Sequence, residues 1–107
     1  MRMICVSAFY PGAGESRFDM QYYLEQHVPL VGRLLQPFGL KKMEVDEGLA
    51  GGLPGTPANY KIIFRMYFDT VENFQTALNA VGNDIFADIP NYTDIPVELQ
   101  VSNTLSF

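Results

Sequence analysis

Runs of alternating polarity and stretches of three-and-four apolar spacing succeed one another along the chain. RMICVSAFY (2–10) is dense in β-forming residues and is closed by Pro11-Gly12-Ala13-Gly14, which predicts a strand and a loop. Met20, Tyr23, Leu24, Val31, Leu34 and Leu35 then recur at the spacing of a helix with one buried face. Asp19 can cap this helix, with a capping box from Ser16 to Asp19 as the competing start. Phe38-Gly39 ends it, the glycine being free to turn through positive φ. In LKKMEVDEG (40–48), Met43 and Val45 alternate with Lys42, Glu44 and Asp46, the pattern of an exposed or edge strand. GLAGGLPGTPAN (48–59) holds four glycines and two prolines and is a loop.

NYKIIFRMYF (59–68) is the strongest strand pattern. Tyr60, Ile62, Phe64, Met66 and Phe68 share one side, while Ile63 and Tyr67 keep the other apolar, so the strand belongs at the centre of a sheet. Asp69 or Thr70 caps a second helix whose Val71, Phe74, Ala77, Leu78 and Val81 share a face, with Gly82 as its expected stop. NDIFADIPNYTDIP (83–96) carries two Asp-Ile-Pro copies, read as turn chemistry after a short helix around Ile85–Asp88. VELQVSNTLSF (97–107) closes the chain as a strand with Val97, Leu99, Val101 and Leu105 on one face and Glu98, Gln100, Ser102 and Thr104 on the other.

The order β-α-β-β-α-β predicts one α+β domain over residues 1–107. It is a ferredoxin-like sandwich in which two helices cover one face of a four-stranded antiparallel sheet. The central strands are apolar on both sides, so the helix-free face needs a cover. A second copy of the sheet is the simplest one, giving a homodimer with room for a cavity between helix and sheet.

Charge narrows the partners. The formal net charge is −5, and no Lys or Arg follows Arg65, whereas Asp69, Glu72, Asp84, Asp88, Asp94 and Glu98 do. The Lys41-Lys42 pair is too small a patch for nucleic acid or for an anionic membrane. Cys5 is the single cysteine, which excludes an internal disulfide and suits a reducing cytoplasm. The apolar run from Met3 to Tyr10 is too short to span a membrane and has no cleavage pattern behind it.

Chemistry centres on HVP. His27 is the only histidine and stands two positions before Pro29. The proline removes an N–H and crowds the Glu25 carbonyl, and Val28 is disfavoured in the α region, so a kink or restart is expected near His27. Freed carbonyls there would favour the protonated imidazole. Tyr23, one turn earlier, lies on the same face. The competing reading is a histidine that only hydrogen-bonds a stray carbonyl. Asp88 and Asp94 each precede Ile-Pro and can simply hold a turn; alternatively Asp88 orients His27 as half of an acid/base pair. Tyr23, Tyr60 and Tyr92 matter only if they converge on a pocket. No HxxxH or CxxC spacing supports a metal site, and neither GAG (12–14) nor GLAGG (48–52) is a phosphate loop. Nothing nearby in sequence activates Cys5, and no feature demands haem.

FDMQYYLEQHVPLV (18–31) together with ADIPNYTDIPVELQVS (87–102) resembles the EthD family, named for ethyl tert-butyl ether degradation. The resemblance implies a dimeric α+β barrel of a group that includes cofactor-free quinol monooxygenases, lactone isomerases, polyketide cyclases and haem enzymes. By position it carries over His27, Tyr23, Pro29, Asp88, Pro90 and Tyr92. The resulting expectation is an enzyme without metal or cofactor, of oxidoreductase or isomerase type, acting on an apolar or aromatic metabolite. His27 would be its general acid or base, with Tyr23 and Asp88 completing the catalytic set. Phe9, Tyr60, Phe64 and Tyr92 would bind substrate, with polar groups from the last strand. The alternative is a non-catalytic dimer that binds a ligand or assists an oxidative pathway; a haem-binding barrel is a third.

Overall fold

The computed structural model describes residues 3–12 and 16–107. Arg2 of the first predicted strand and Ala13-Gly14 of the predicted glycine loop lie outside the described residues. Four strands, β1 (Met3–Pro11), β2 (Lys42–Glu47), β3 (Tyr60–Phe68) and β4 (Glu98–Thr104), form one antiparallel sheet in the order β2-β3-β1-β4. Helix α1 occupies residues 20–35 and helix α2 spans Val71–Asp88. This is the expected ferredoxin-like α+β arrangement, with the two most apolar strands at its centre.

Alternation sorts the sheet's faces. Val6, Ala8 and Tyr10 of β1 pair across to Met66, Phe64 and Ile62 of β3, all buried on the helix side. There they meet Val31 and Leu35 of α1 and Phe74 and Ala77 of α2 in one core. The other face is more polar than the sequence suggests. Cys5, Ser7 and Tyr67 are buried in its centre, but Arg65 bridges Asp46 at 2.8 Å and Glu44 at 3.4 Å, and the Tyr67 hydroxyl donates to Glu44 at 2.8 Å.

The helix ends follow local chemistry. The Asp19 carboxylate accepts the Tyr22 N–H at 3.0 Å, and the Thr70 hydroxyl accepts the Asn73 N–H at 3.1 Å. Gly39, at φ +92°, closes the 3-10 turn Gln36–Phe38 that ends the first helical stretch. Gly82 is not a stop: α2 continues through it to Asp88. Ile85 and Ile89 prolong the stripe begun by Leu78 and Val81, and that packing outweighs one glycine.

The expected break at Pro29 does not occur either. Val28 stays in the right-handed helical region (φ −59°, ψ −46°), and its N–H reaches back five residues to the Tyr23 carbonyl. Tyr23–His27 is thus a π-helical segment set between α-helical Met20–Tyr22 and Val28–Leu35. Widening the turn makes room for the proline ring without ending the helix. It also rephases the helix: the buried positions are Tyr23, His27, Val31 and Leu35, while Leu24, predicted inside, is 49% exposed.

One register shift matters for the site. Tyr10 pairs with Ile62 but Pro11 pairs with Tyr60, so Lys61 is an extra residue on β3. This bulge turns Tyr60 off the Ile62–Phe64 side, and its ring packs on Phe9 of the helix-free face at 5.1 Å between centroids.

Candidate active site

The π segment delivers His27 to the core, where it is 2% exposed and forms part of the wall of a pocket between sheet and helices. Its Nδ1 lies 2.8 Å from Oδ2 of Asp88, the last residue of α2, 61 positions along the chain. Oδ1 of the same carboxylate accepts the Tyr22 hydroxyl at 2.6 Å and the Asn91 side-chain amide at 3.0 Å. Burial alone would raise the Asp88 pKa. The donors Tyr22, His27 and Asn91 outweigh it, so the carboxyl is held below its ordinary range.

For His27 the balance runs the other way. Burial lowers its pKa and prevails over the opposing pull of Asp88, leaving the imidazole below its ordinary value of 6.5. The expectation of a protonated histidine is therefore corrected. The helix does not break at the ring, and desolvation dominates. An ionised carboxylate only accepts, so Nδ1 carries the proton and Nε2 keeps a lone pair with no protein partner among the described residues.

Aromatic rings frame the imidazole. Tyr23 stacks on it, with centroids 5.6 Å apart and planes at 20°, and Tyr92 approaches to 4.6 Å. The Tyr10 and Tyr92 hydroxyls share a 2.7 Å hydrogen bond. The Tyr23 hydroxyl is near Tyr10 but buried without a hydrogen-bond partner among the described residues. Burial pushes all three phenol pKa values up. The turn after α2 is locked to the start of α1. Arg17 holds Asp94 through Nε and Nη2 at 3.2 and 3.1 Å, and the Asp19 N–H donates to the Tyr92 carbonyl at 2.8 Å.

The pocket has a volume of about 50 Å³. Its walls include Val6, Ala8, Phe64 and Met66 from the sheet, Val31 and Leu35 from α1, and Phe74 and Leu78 from α2. His27 and Tyr10 are the wall residues with polar side-chain atoms, and none of the wall residues is charged. Phe86 and Leu99, 40% and 44% exposed, stand at its outer side.

The structure thus brings together His27, Tyr23, Asp88, Tyr92 and Phe64, although Tyr23 and Tyr92 lie behind the imidazole and not in the pocket wall. It does not bring in Phe9 or Tyr60, which pair on the opposite face of the sheet because of the bulge at Lys61. The polar side chains of β4 are elsewhere too: Glu98 and Gln100 register with Phe9 and Ser7, whereas Val97 and Leu99 turn to the pocket. Asp94 serves its turn by pairing with Arg17. Sequence reasoning missed Tyr10, Tyr22 and Asn91. The Asp88-x-x-Asn91 spacing across an Ile-Pro turn was an available sign that amide and carboxylate meet; for Tyr22 there was none. Among the described residues no cluster of three or more His, Cys, Asp or Glu side chains is arranged to hold a metal ion, and no helix is long and apolar enough to cross a membrane.

Comparison with known proteins places this geometry. The EthD domain model matches residues 11–96, most of the chain, taking in Tyr22, His27, Asp88 and Asn91. The chain belongs to the EthD family. A crystal structure of an EthD-like protein from Ralstonia eutropha JMP134 is similar to it at 38% identity, covering 94% of this chain and 89% of that one with a TM-score of 0.86. A second EthD family protein, from Bacillus halodurans C-125, is 23% identical, covers 96% of this chain and 99% of its own, and shares the fold with a TM-score of 0.74. No curated protein matches this EthD chain significantly.

Proposed function

We propose that this EthD protein is a small-molecule enzyme in which His27 acts as general base on a neutral, largely apolar substrate. The observation that carries the reading is a buried imidazole with Nδ1 tied to Asp88 at 2.8 Å on the wall of an otherwise apolar pocket. Nε2 would take a proton from an activated C–H or a phenolic O–H. The imidazolium formed would be held by Asp88 and would face the new anion in a dry site, where their attraction is strong. Returning the proton to another atom would complete an isomerisation. Reaction of the anion with dioxygen would begin an oxygenation of oxidoreductase type. The first step is common to both, and the chain's own residues supply it.

A wall without a cationic side chain supports an uncharged substrate, since a buried carboxylate or phosphate there would lack a partner. The volume of about 50 Å³ favours a slender or small ligand, because ligand sites commonly run to roughly 300–1,000 Å³. A homodimer belongs to the same proposal: a second copy against the helix-free face would cover the half-buried Phe9 and Ile63. The buried free thiol of Cys5 supports a reducing cytoplasm as its setting.

The test is turnover of a panel of quinols, phenols, lactones and ethers. His27→Ala should lower kcat/KM by about 10²–10⁴-fold, and the wild-type rate should fall on the acid side with an apparent pKa below 6.5. Equal activity of His27→Ala on any substrate the wild type converts overturns the assignment. A second reading, ligand binding without chemistry, is favoured by the scarcity of donors around the pocket that could stabilise an oxyanion. It predicts saturable binding from the same panel with no product.

A further inference from the structure

We propose that Tyr22 and Asn91 are positioning residues: by engaging Oδ1 of Asp88 they reserve Oδ2 for His27 and so fix which imidazole nitrogen faces the pocket. The inference rests on the reading of His27 as a base, and it adds what sets the base. Oδ1 receives two donors, the Tyr22 hydroxyl at 2.6 Å and the Asn91 amide at 3.0 Å, while Oδ2 faces Nδ1 at 2.8 Å. The Asn91 amide also lies 3.3 Å from the Tyr22 oxygen, so the two donors hold each other as well as the carboxylate.

A carboxylate free to rotate would offer either oxygen to the ring. Donors arriving from two elements, α1 and the turn after α2, remove that freedom. They have a second effect. Asp88 is the last residue of α2, where the negative end of the helix dipole disfavours an anion, and two donors on one oxygen compensate. An ionised Asp88 accepts only, so the neutral imidazole presents Nδ1–H to it and a bare Nε2 to the substrate. The adjacent tyrosines therefore divide the work: Tyr22 holds the carboxylate and Tyr23 backs the ring.

The titratable groups facing His27 are Asp88 on α2, Tyr23 on α1, Tyr92 beyond α2, and Tyr10 on β1 behind Tyr92. Of these only Asp88 is charged near neutrality, so the state of Asp88 governs the ring.

His27 is the sole histidine, so nitrogen-resolved NMR of the imidazole reads it without ambiguity and needs no substrate. The wild type should show one neutral tautomer, protonated at Nδ1. In a Tyr22→Phe/Asn91→Ala double variant with a preserved amide spectrum, both neutral tautomers should appear. The His27 midpoint should fall by about 0.5–1 pH unit, a part of the ~1–3 units that a neighbouring opposite charge supplies, because an Asp88 no longer held against Nδ1 and less fully ionised supports imidazolium less. Tyr22→Phe alone, which deletes one oxygen from a partly exposed ring, should move the midpoint the same way by a smaller amount. An Asp88→Asn control should lose the fixed tautomer. The proposal is overturned if the double variant keeps both tautomer and midpoint, whether or not Asp88→Asn changes them. A fully active His27→Ala enzyme would instead sink the base assignment while leaving the tautomer result standing, so the two failures are distinguishable.

Discussion

Replacing Tyr23 by phenylalanine deletes one oxygen atom from the interior and leaves the ring on His27 in place. That oxygen is fully buried, and its hydroxyl has no hydrogen-bond partner among the described residues. A buried hydroxyl left unpaired destabilises a fold by about 1–3 kcal/mol. The void left by a hydroxyl of roughly 10 Å³ returns only about 0.2–0.3 kcal/mol at ~24 cal/mol per Å³. The variant should therefore be more stable by about 1–2 kcal/mol, a rise of roughly 4–10 °C in Tm for a domain of this size. The contrast is Tyr92→Phe, which breaks the 2.7 Å bond to Tyr10 and leaves that hydroxyl with only the poorly placed Tyr23 hydroxyl beside it, and should lose about 0.5–1.5 kcal/mol. Thermal and urea melts of the two variants beside the wild type decide the matter. A Tyr23→Phe protein that melts as low as Tyr92→Phe would refute the reasoning, because its hydroxyl must then be bonded in solution. Activity should survive in Tyr23→Phe, since it is the ring and not the oxygen that touches His27.

Acidification should weaken the fold in two stages. The His27 pKa is lower in the folded state than in the unfolded chain, so stability falls as pH drops below about 6.5; that of Asp88 is lowered too, so a further loss follows below about 3.8. Urea midpoints measured between pH 7 and 5 should decline in the wild type and less in His27→Gln; a flat or rising wild-type profile refutes the assignment of burial as the dominant cause. Phe64→Ala, at a position 2% exposed on the central strand and in the pocket wall, should be destabilised by about 3–5 kcal/mol with an unchanged urea m-value. A loss below 1 kcal/mol would show that the core collapses around the site.

Legibility followed the range of the forces involved. The alternation of β1 and β3 and the stripes on both helices are short-range signals, and they were enough to give the topology, the central pair and the Thr70 cap. Single residues with a strong local preference misled. Gly82 was outvoted by Ile85 and Ile89, and Pro29 was absorbed by a wider turn where a break was expected. Tyr60 changed face because one extra residue, Lys61, sits in β3, and no alternation pattern announces a bulge. The pairing of His27 with Asp88 was visible only as two residues with suitable chemistry; their meeting depends on how α1 docks against the end of α2. Which of two adjacent tyrosines holds the carboxylate depends on helix phase, and the π segment sets that phase.

The same segment makes the site sensitive to counting. Each residue of an α-helix turns it by about 100°. Deleting one residue among Leu24, Glu25 and Gln26 would let the ladder close in ordinary α fashion, an improvement by local hydrogen-bond criteria. Because the Val28 N–H would keep the Tyr23 carbonyl, such a deletion leaves Tyr22, Tyr23 and His27 near their present phase. An added residue would instead turn the two tyrosines by about 100° relative to His27, away from Asp88 and the imidazole. Leu24, Glu25 and Gln26 are exposed and should tolerate substitution. Their number should not tolerate an increase, so within functional relatives this stretch should vary in identity and admit no insertion.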